Sequence, residues 1–204
     1  MNSPLNGTRI AIIGHPSADL EGIAAVIPDG YAVTVAFDDA LSYEFAEFAA
    51  VVLAFSAHEG APNTLIKAWE EISEFQVPRA ILVTKIDENE SDFDEAVLIA
   101  RRMFHEGVTP FLVLHDDDGS PCAFIDLETL NIRDYSTGTL QIKASDEDHR
   151  VIVQEFHEEY LASISDLDEP RFATGLFVPI IPFSAKLGLG KVELLTYLDQ
   201  VAEH

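Results

Sequence analysis

Arg79-Ala80-Ile81-Leu82-Val83-Thr84-Lys85-Ile86-Asp87 is the stretch that decides the fold. Its unbroken apolar run has the character of a parallel strand buried on both faces, and it ends on a short polar tetrapeptide. Ligands of open α/β sheets bind at the carboxyl ends of strands, so Asp87 is predicted to stand at a ligand-binding edge. A carboxylate there can accept two hydrogen bonds from the N1 and exocyclic amino groups of guanine, a pair that adenine does not supply. The Lys85 stem can cover the base. A second apolar strand, Phe177 to Phe183, ends at Ser184-Ala185-Lys186, whose backbone N–H can meet the guanine carbonyl. Either motif alone is short enough to be an ordinary strand exit, but the two in this order, each at a strand end, are a stronger signal. The candidate guanine-binding residues are Thr84, Lys85, Asp87, Ser184, Ala185 and Lys186.

Upstream, the apolar strand Arg9 to Ile13 runs into Gly14-His15-Pro16-Ser17-Ala18-Asp19-Leu20-Glu21, where a G-x-x-x-x-G-K-[ST] phosphate loop would stand. A working loop wraps backbone N–H groups around phosphates, reaches them with its lysine and holds Mg²⁺ through its hydroxyl. Here only Gly14 fits: Asp19 replaces the second glycine, Leu20 the lysine and Glu21 the hydroxyl, while His15 and Ser17 are plain loop residues. Two carboxylates would repel a polyanion, so NTP hydrolysis is not expected and Mg²⁺ is not an expected cofactor.

Working outward, strands are predicted at 9–13, 32–37, 50–56, 79–84, 109–115, 122–126 and 177–182. Helices are predicted at 19–26, 41–48, 63–75, 92–105, 146–163 and 188–202. This alternation implies parallel strands in a doubly wound sheet. Ser145 and Asp148 have capping-box spacing before an amphipathic helix carrying Val153, Phe156, Tyr160 and Ile164, and Asn63 and Asp92 can cap in the same way. The span 116–145 is the least regular, with Asp118-Gly119 making a turn.

The 204 residues, 48% hydrophobic and 24% charged, can bury a substantial core in one domain. Cys122 has no possible disulfide partner and is read as a small buried hydrophobe. With no signal segment and no apolar run near the ~20 residues that span a bilayer, a cytoplasmic protein is expected. The formal net charge of −24 opposes binding to nucleic acid or an anionic membrane. It reflects either solvated faces and an acidic host proteome, or a basic protein partner.

Other constellations are weaker. His115-Asp116-Asp117-Asp118 lacks the alternating ligand spacing of a calcium loop and is read as a hairpin turn. His157-Glu158-Glu159 lacks the second histidine of a zinc-protease helix, and Trp69 is read as packing.

These motifs together resemble the G domain of translational GTPases, elongation factor G above all. Ala50 to Gly60, the helix through Trp69, and Val77 to Asp87 look like the family's central strand–helix–strand run. Asp92-Phe93 opens the next helix as the family does, and Pro179 to Leu198 resembles its closing strand and helix. Thr109 to Leu114 and Cys122 to Leu127 look like the start of the insertion that elongation factor G carries. The resemblance implies a P-loop-NTPase-like α/β fold: one degenerate G domain over 1–204 with an inserted subregion at about 116–170.

The departures matter as much. Only twelve residues separate Leu20 from the strand Val33–Phe37, so the first switch segment is effectively absent. Where the family carries Asp-x-Pro-Gly-His, this chain reads Asp38-Asp39-Ala40-Leu41, and Ser56 stands where the family often has aspartate. The resemblance therefore implies fold and ancestry without hydrolysis. Three readings follow: a pseudo-GTPase serving as a protein-binding or regulatory module, with a basic or ribosome-associated partner; a weak GDP- or GTP-binding protein; and an enzyme using Asp19, Glu21 and Asp38 as a metal-binding group.

Overall fold

The computed structural model describes residues 7–37, 45–88 and 91–203. β1 (Thr8–Gly14), β2 (Tyr31–Phe37), β3 (Ala50–Ser56), β4 (Arg79–Thr84), β5 (Gly107–Val108) and β10 (Val178–Phe183) form one parallel sheet in the order β2-β1-β3-β4-β10-β5. Alternate side chains of its central strands enter two separate cores, as the period-2 geometry of a strand requires. Val51, Leu53, Phe55, Ile81 and Val83 meet α2 (Asn63–Glu74) and α3 (Phe93–Met103). Val52, Ala54, Ala80 and Leu82 face the opposite core, which includes Ile23 of α1 (Leu20–Val26) and Leu194 and Leu198 of α5 (Lys191–Ala202). This is the doubly wound α/β architecture implied by the alternation.

The least regular span holds a second sheet. β6 (Phe111–His115), β7 (Pro121–Asp126), β8 (Asn131–Asp134) and β9 (Gln141–Ala144) are antiparallel and lie in chain order. Parallel pairing, expected from the alternation, thus stops at this region, where short turns replace helices. β8 and β9 were not expected. β8 is half-buried throughout and β9 exposed throughout, so neither carries an apolar alternation. The Asp116–Ser120 hairpin is a turn as expected: Asp116 Oδ1 accepts the N–H groups of Asp118 and Ser120, each at 3.2 Å.

Several local expectations are corrected. α4 (Glu147–Ile164) is capped by Asp146, whose carboxylate accepts from His149 N at 2.8 Å, and Ser145 instead accepts from the Arg150 guanidinium. Asn63 lies inside α2, whose cap position is Pro62 with no side-chain hydrogen bond, whereas Asp92 caps α3 through Glu95 N. Phe156 is half exposed, because Val153, Tyr160 and Ile164 already fill the narrow buried stripe of α4. Of the helix expected at 41–48, residues 41–44 lie outside the described residues, and Phe45–Glu47 is a short 3-10 turn. Cys122 is half-buried, its thiol donating to Leu114 O at 3.6 Å. Trp69 is packing: its ring lies tilted against Phe104, centroids 5.1 Å apart, and under the buried Arg79 guanidinium.

Candidate functional site

The expected base-binding residues converge at the carboxyl edge of the parallel sheet. Ser56 ends β3 beside Thr84 at the end of β4, Thr84 pairs with Phe183 of β10, and Ser184 follows directly. All three hydroxyl residues are buried, so their side chains must be satisfied locally. Thr84 Oγ1 donates to Phe55 O at 3.2 Å, tying β4 to β3. Ser56 Oγ accepts from His58 N, and Ser184 Oγ accepts from Leu187 N at 3.2 Å, each forming the turn that follows its strand.

The backbone turns sharply after β4, with Lys85 at φ 58° in the left-handed region. Ser91 Oγ donates to Lys85 O at 2.9 Å, and the Lys85 ammonium lies 3.1 Å from Glu88. The same turn carries Asp87 inward, its side chain 10% exposed, where the Lys186 ammonium stands 3.4 Å from Oδ2. Thus the two sequence motifs meet in space through one ion pair. Two residues that the motifs did not single out set this geometry. Ser91 fixes the Lys85 carbonyl, and its place just before the helix-capping Asp92 was the available signal. Gly190 closes the Ser184–Leu189 turn at φ 79°, where an added Cβ would lie 2.1 Å from Pro182 O.

The expected phosphate side has a different chemistry. Gly14 ends β1 so close to β3 that an added Cβ would meet Ala54 O at 2.4 Å and Leu20 at 2.8 Å. His15 and Ser17 bond to each other, Nδ1 to Oγ at 2.8 Å, across a short 3-10 turn at Pro16–Ala18. Asp19, at φ 52°, then places Oδ1 3.2 Å from Gly22 N and caps α1. Leu20 is 3% exposed and packed in the core with Ile23, so the position of the expected lysine turns inward. Glu21 stands exposed in the first turn. Asp38, the third carboxylate of the metal-binding alternative, lies outside the described residues along with Asp39, Ala40 and Leu41. Among the described residues no group of three or more His, Cys, Asp or Glu side chains is placed to hold a metal ion.

The model of the elongation factor Tu GTP-binding domain matches residues 35–204, from within β2 through α5. The chain belongs to this family. The match includes Thr84–Asp87 and Ser184–Lys186 and starts downstream of β1 and of Gly14–Glu21. Elongation factor G-like proteins of two Mycobacterium tuberculosis strains are 30% identical over 165 residues, covering 69% of this chain and 22% of their own length. This member of the elongation factor Tu GTP-binding domain family therefore spans about a fifth of the curated relatives it matches. A crystal structure from Thermus thermophilus shares its fold, with a TM-score of 0.73 at 19% identity, covering 96% of this chain and 40% of the other. No helix among the described residues is long and apolar enough to cross a membrane.

Proposed function

We propose that this G domain is hydrolysis-incompetent and serves as a protein-binding or regulatory module. The observation that carries the reading is the Asp19 carboxylate at Gly22 N, with Leu20 buried beneath it. A helix N-terminus attracts phosphate through free N–H groups and its positive dipole end. Here the chain's own anion occupies that end, and no lysine reaches outward to hold a β or γ phosphate. A γ-phosphate then has no means of ordering switch loops, so the surface would act in one fixed form. A charge of −24 supports a basic protein partner, ribosome-associated or otherwise, over nucleic acid or an anionic membrane. Exposed Val151 and Ile152 on α4 add apolar contact area to the acidic surface.

A second reading, weak recognition of GDP or GTP through the base, is favoured by one observation. Asp87 and Lys186 follow different strands yet meet at the sheet edge, 3.4 Å apart, so the two candidate guanine-binding motifs lie side by side. Titration calorimetry with GDP, GTP and ATP, with and without Mg²⁺, on the natural chain and on Asp87→Ala, separates the readings. The first expects no released phosphate and no Mg²⁺-dependent affinity. Guanine-selective heat that Asp87→Ala abolishes would establish the second, and turnover of GTP would overturn both.

A further inference from the structure

A second, half-open site lies between α4, α5 and the antiparallel sheet. It is a cavity of about 260 Å³, near the lower limit of small-molecule pockets, and no lining residue belongs to the sheet edge described above. Four carboxylates line it, those of Asp126, Glu128, Glu169 and Glu193, against two guanidinium groups, those of Arg133 and Arg171. The wall thus carries a surplus of negative charge, which is complementary to a cation.

Tracing the hydrogen bonds shows where that cation belongs. Glu193 is fully engaged, with Oε1 2.5 Å from Arg133 Nε and both oxygens within 2.7 Å of Tyr135 Oη. Glu128 and Glu169 are both held by Arg171. Asp126 differs: Oδ1 accepts from Glu128 N and Thr129 N, but Oδ2 has only Arg133 Nη1 at 4.0 Å, beyond hydrogen-bond reach. Gln200 also lines the cavity, and its Oε1 is buried with no hydrogen-bond partner. Both are acceptors: Gln200 Oε1 is buried without a partner, and Asp126 Oδ2 is partly solvent-exposed and free of protein hydrogen bonds. Burial, then the neighbouring Tyr160, Asp126 and Glu128, keep the Tyr197 phenol well above its ordinary pKa, so it lines the same space as a neutral aromatic wall.

We propose that this cavity binds a small alkylammonium group, with Asp126 Oδ2 and Gln200 Oε1 accepting from its N–H donors and Tyr197 flanking its carbon chain. The chemistry has two sources: a free aliphatic diamine, or a lysine side chain presented by a protein. Neither source depends on the nucleotide reading.

Calorimetry of the full chain tests it with three probes: 1,4-diaminobutane, Nα-acetyl-lysine methylamide and inorganic phosphate, each in ~0.15 M salt to screen diffuse binding. Asp126→Asn keeps the Oδ1 turn contacts while removing the charge, and Gln200→Leu removes the free acceptor without touching that turn. Thermal melts confirm that both variants fold. The expected result is one amine per chain, weakened at least about tenfold by each variant. Binding of the diamine alone supports a free amine, and binding of both amines supports a lysine side chain. No saturable amine binding at millimolar concentration overturns the proposal, as does binding that both variants leave unchanged. Saturable phosphate binding in place of amine binding also overturns it.

Discussion

At the residue scale, Asp19 carries two opposing effects. Its φ of 52° lies in a region that costs most L-residues roughly 1–2 kcal/mol, although aspartate tolerates it better than most. Its carboxylate offsets this by capping α1, a contribution of about 1 kcal/mol. Glycine gives up the cap for only a few tenths of a kcal/mol and removes the left-handed cost, whereas alanine loses the cap and keeps the cost. Asp19→Gly is therefore expected to hold or raise stability, and Asp19→Ala to lower it by about 1–2 kcal/mol, read by urea denaturation. An Asp19→Ala loss below about 0.5 kcal/mol would show that the carboxylate does not cap the helix. The loss of the phosphate-loop pattern at this residue was legible in the sequence, because the pattern fixes a glycine there. The cap was not: Asp19 and Gly22 are three residues apart, but only the left-handed turn brings carboxylate to N–H.

At the element scale, the buried strands were the legible part. β3 and β4 are buried at every position, and such a run fits the middle of a parallel sheet covered on both faces. β8 and β9 were hidden because their stability comes from cross-strand pairs and tertiary ties. One pair is Asp134 with Lys143, which holds the Asp134 carboxyl down at about 2, first through the Lys143 hydrogen bond and then through Ser136. A pKa lowered in the folded state gives stability present above the unfolded value near 3.8 and lost as pH falls through about 2. The β8–β9 hairpin is expected to loosen between pH 4 and 2 ahead of the parallel sheet, with amide exchange at Arg133 and Ile142 as the readout. Lys143→Met should move that loosening to higher pH. The other tie joins the end of β8 to α5 through Arg133, the following Tyr135 and the buried Glu193. Tyr135→Phe leaves a buried carboxylate short of a donor and is expected to cost about 1–3 kcal/mol. A cost below 0.5 kcal/mol in urea denaturation would mean that water replaces the phenol. The Ser184–Leu189 turn gives a third case. Gly190→Ala must accept both φ 79° and a clash with Pro182 O, so a loss of at least about 1–2 kcal/mol is expected. Because this turn positions Lys186, any guanine affinity should fall with it.

At the scale of the whole molecule, 36 acidic residues face 12 basic ones in a chain whose core is well buried. Self-repulsion among those charges destabilises the compact state, and it acts over a Debye length that shrinks from about 30 Å at 0.01 M salt to about 8 Å at 0.15 M. The individual ion pairs respond in the opposite direction. Arg9–Glu47 and Arg101–Glu159 are both solvent-accessible and contribute no more than about 1 kcal/mol each before screening. With a net charge of −24, repulsion outweighs these few attractions. The melting temperature is therefore expected to rise as salt increases from ~0.01 M to ~0.15 M and to flatten once the Debye length falls below the spacing of surface charges. Sodium chloride and potassium chloride should act alike if the effect is screening, whereas a rise confined to one cation would indicate a specific site. A basic protein partner would neutralise the same repulsion by direct contact. Its affinity should weaken over the same salt range in which the free domain gains stability, and that opposed pair of slopes, measured on one sample, distinguishes electrostatic docking from apolar docking on α4.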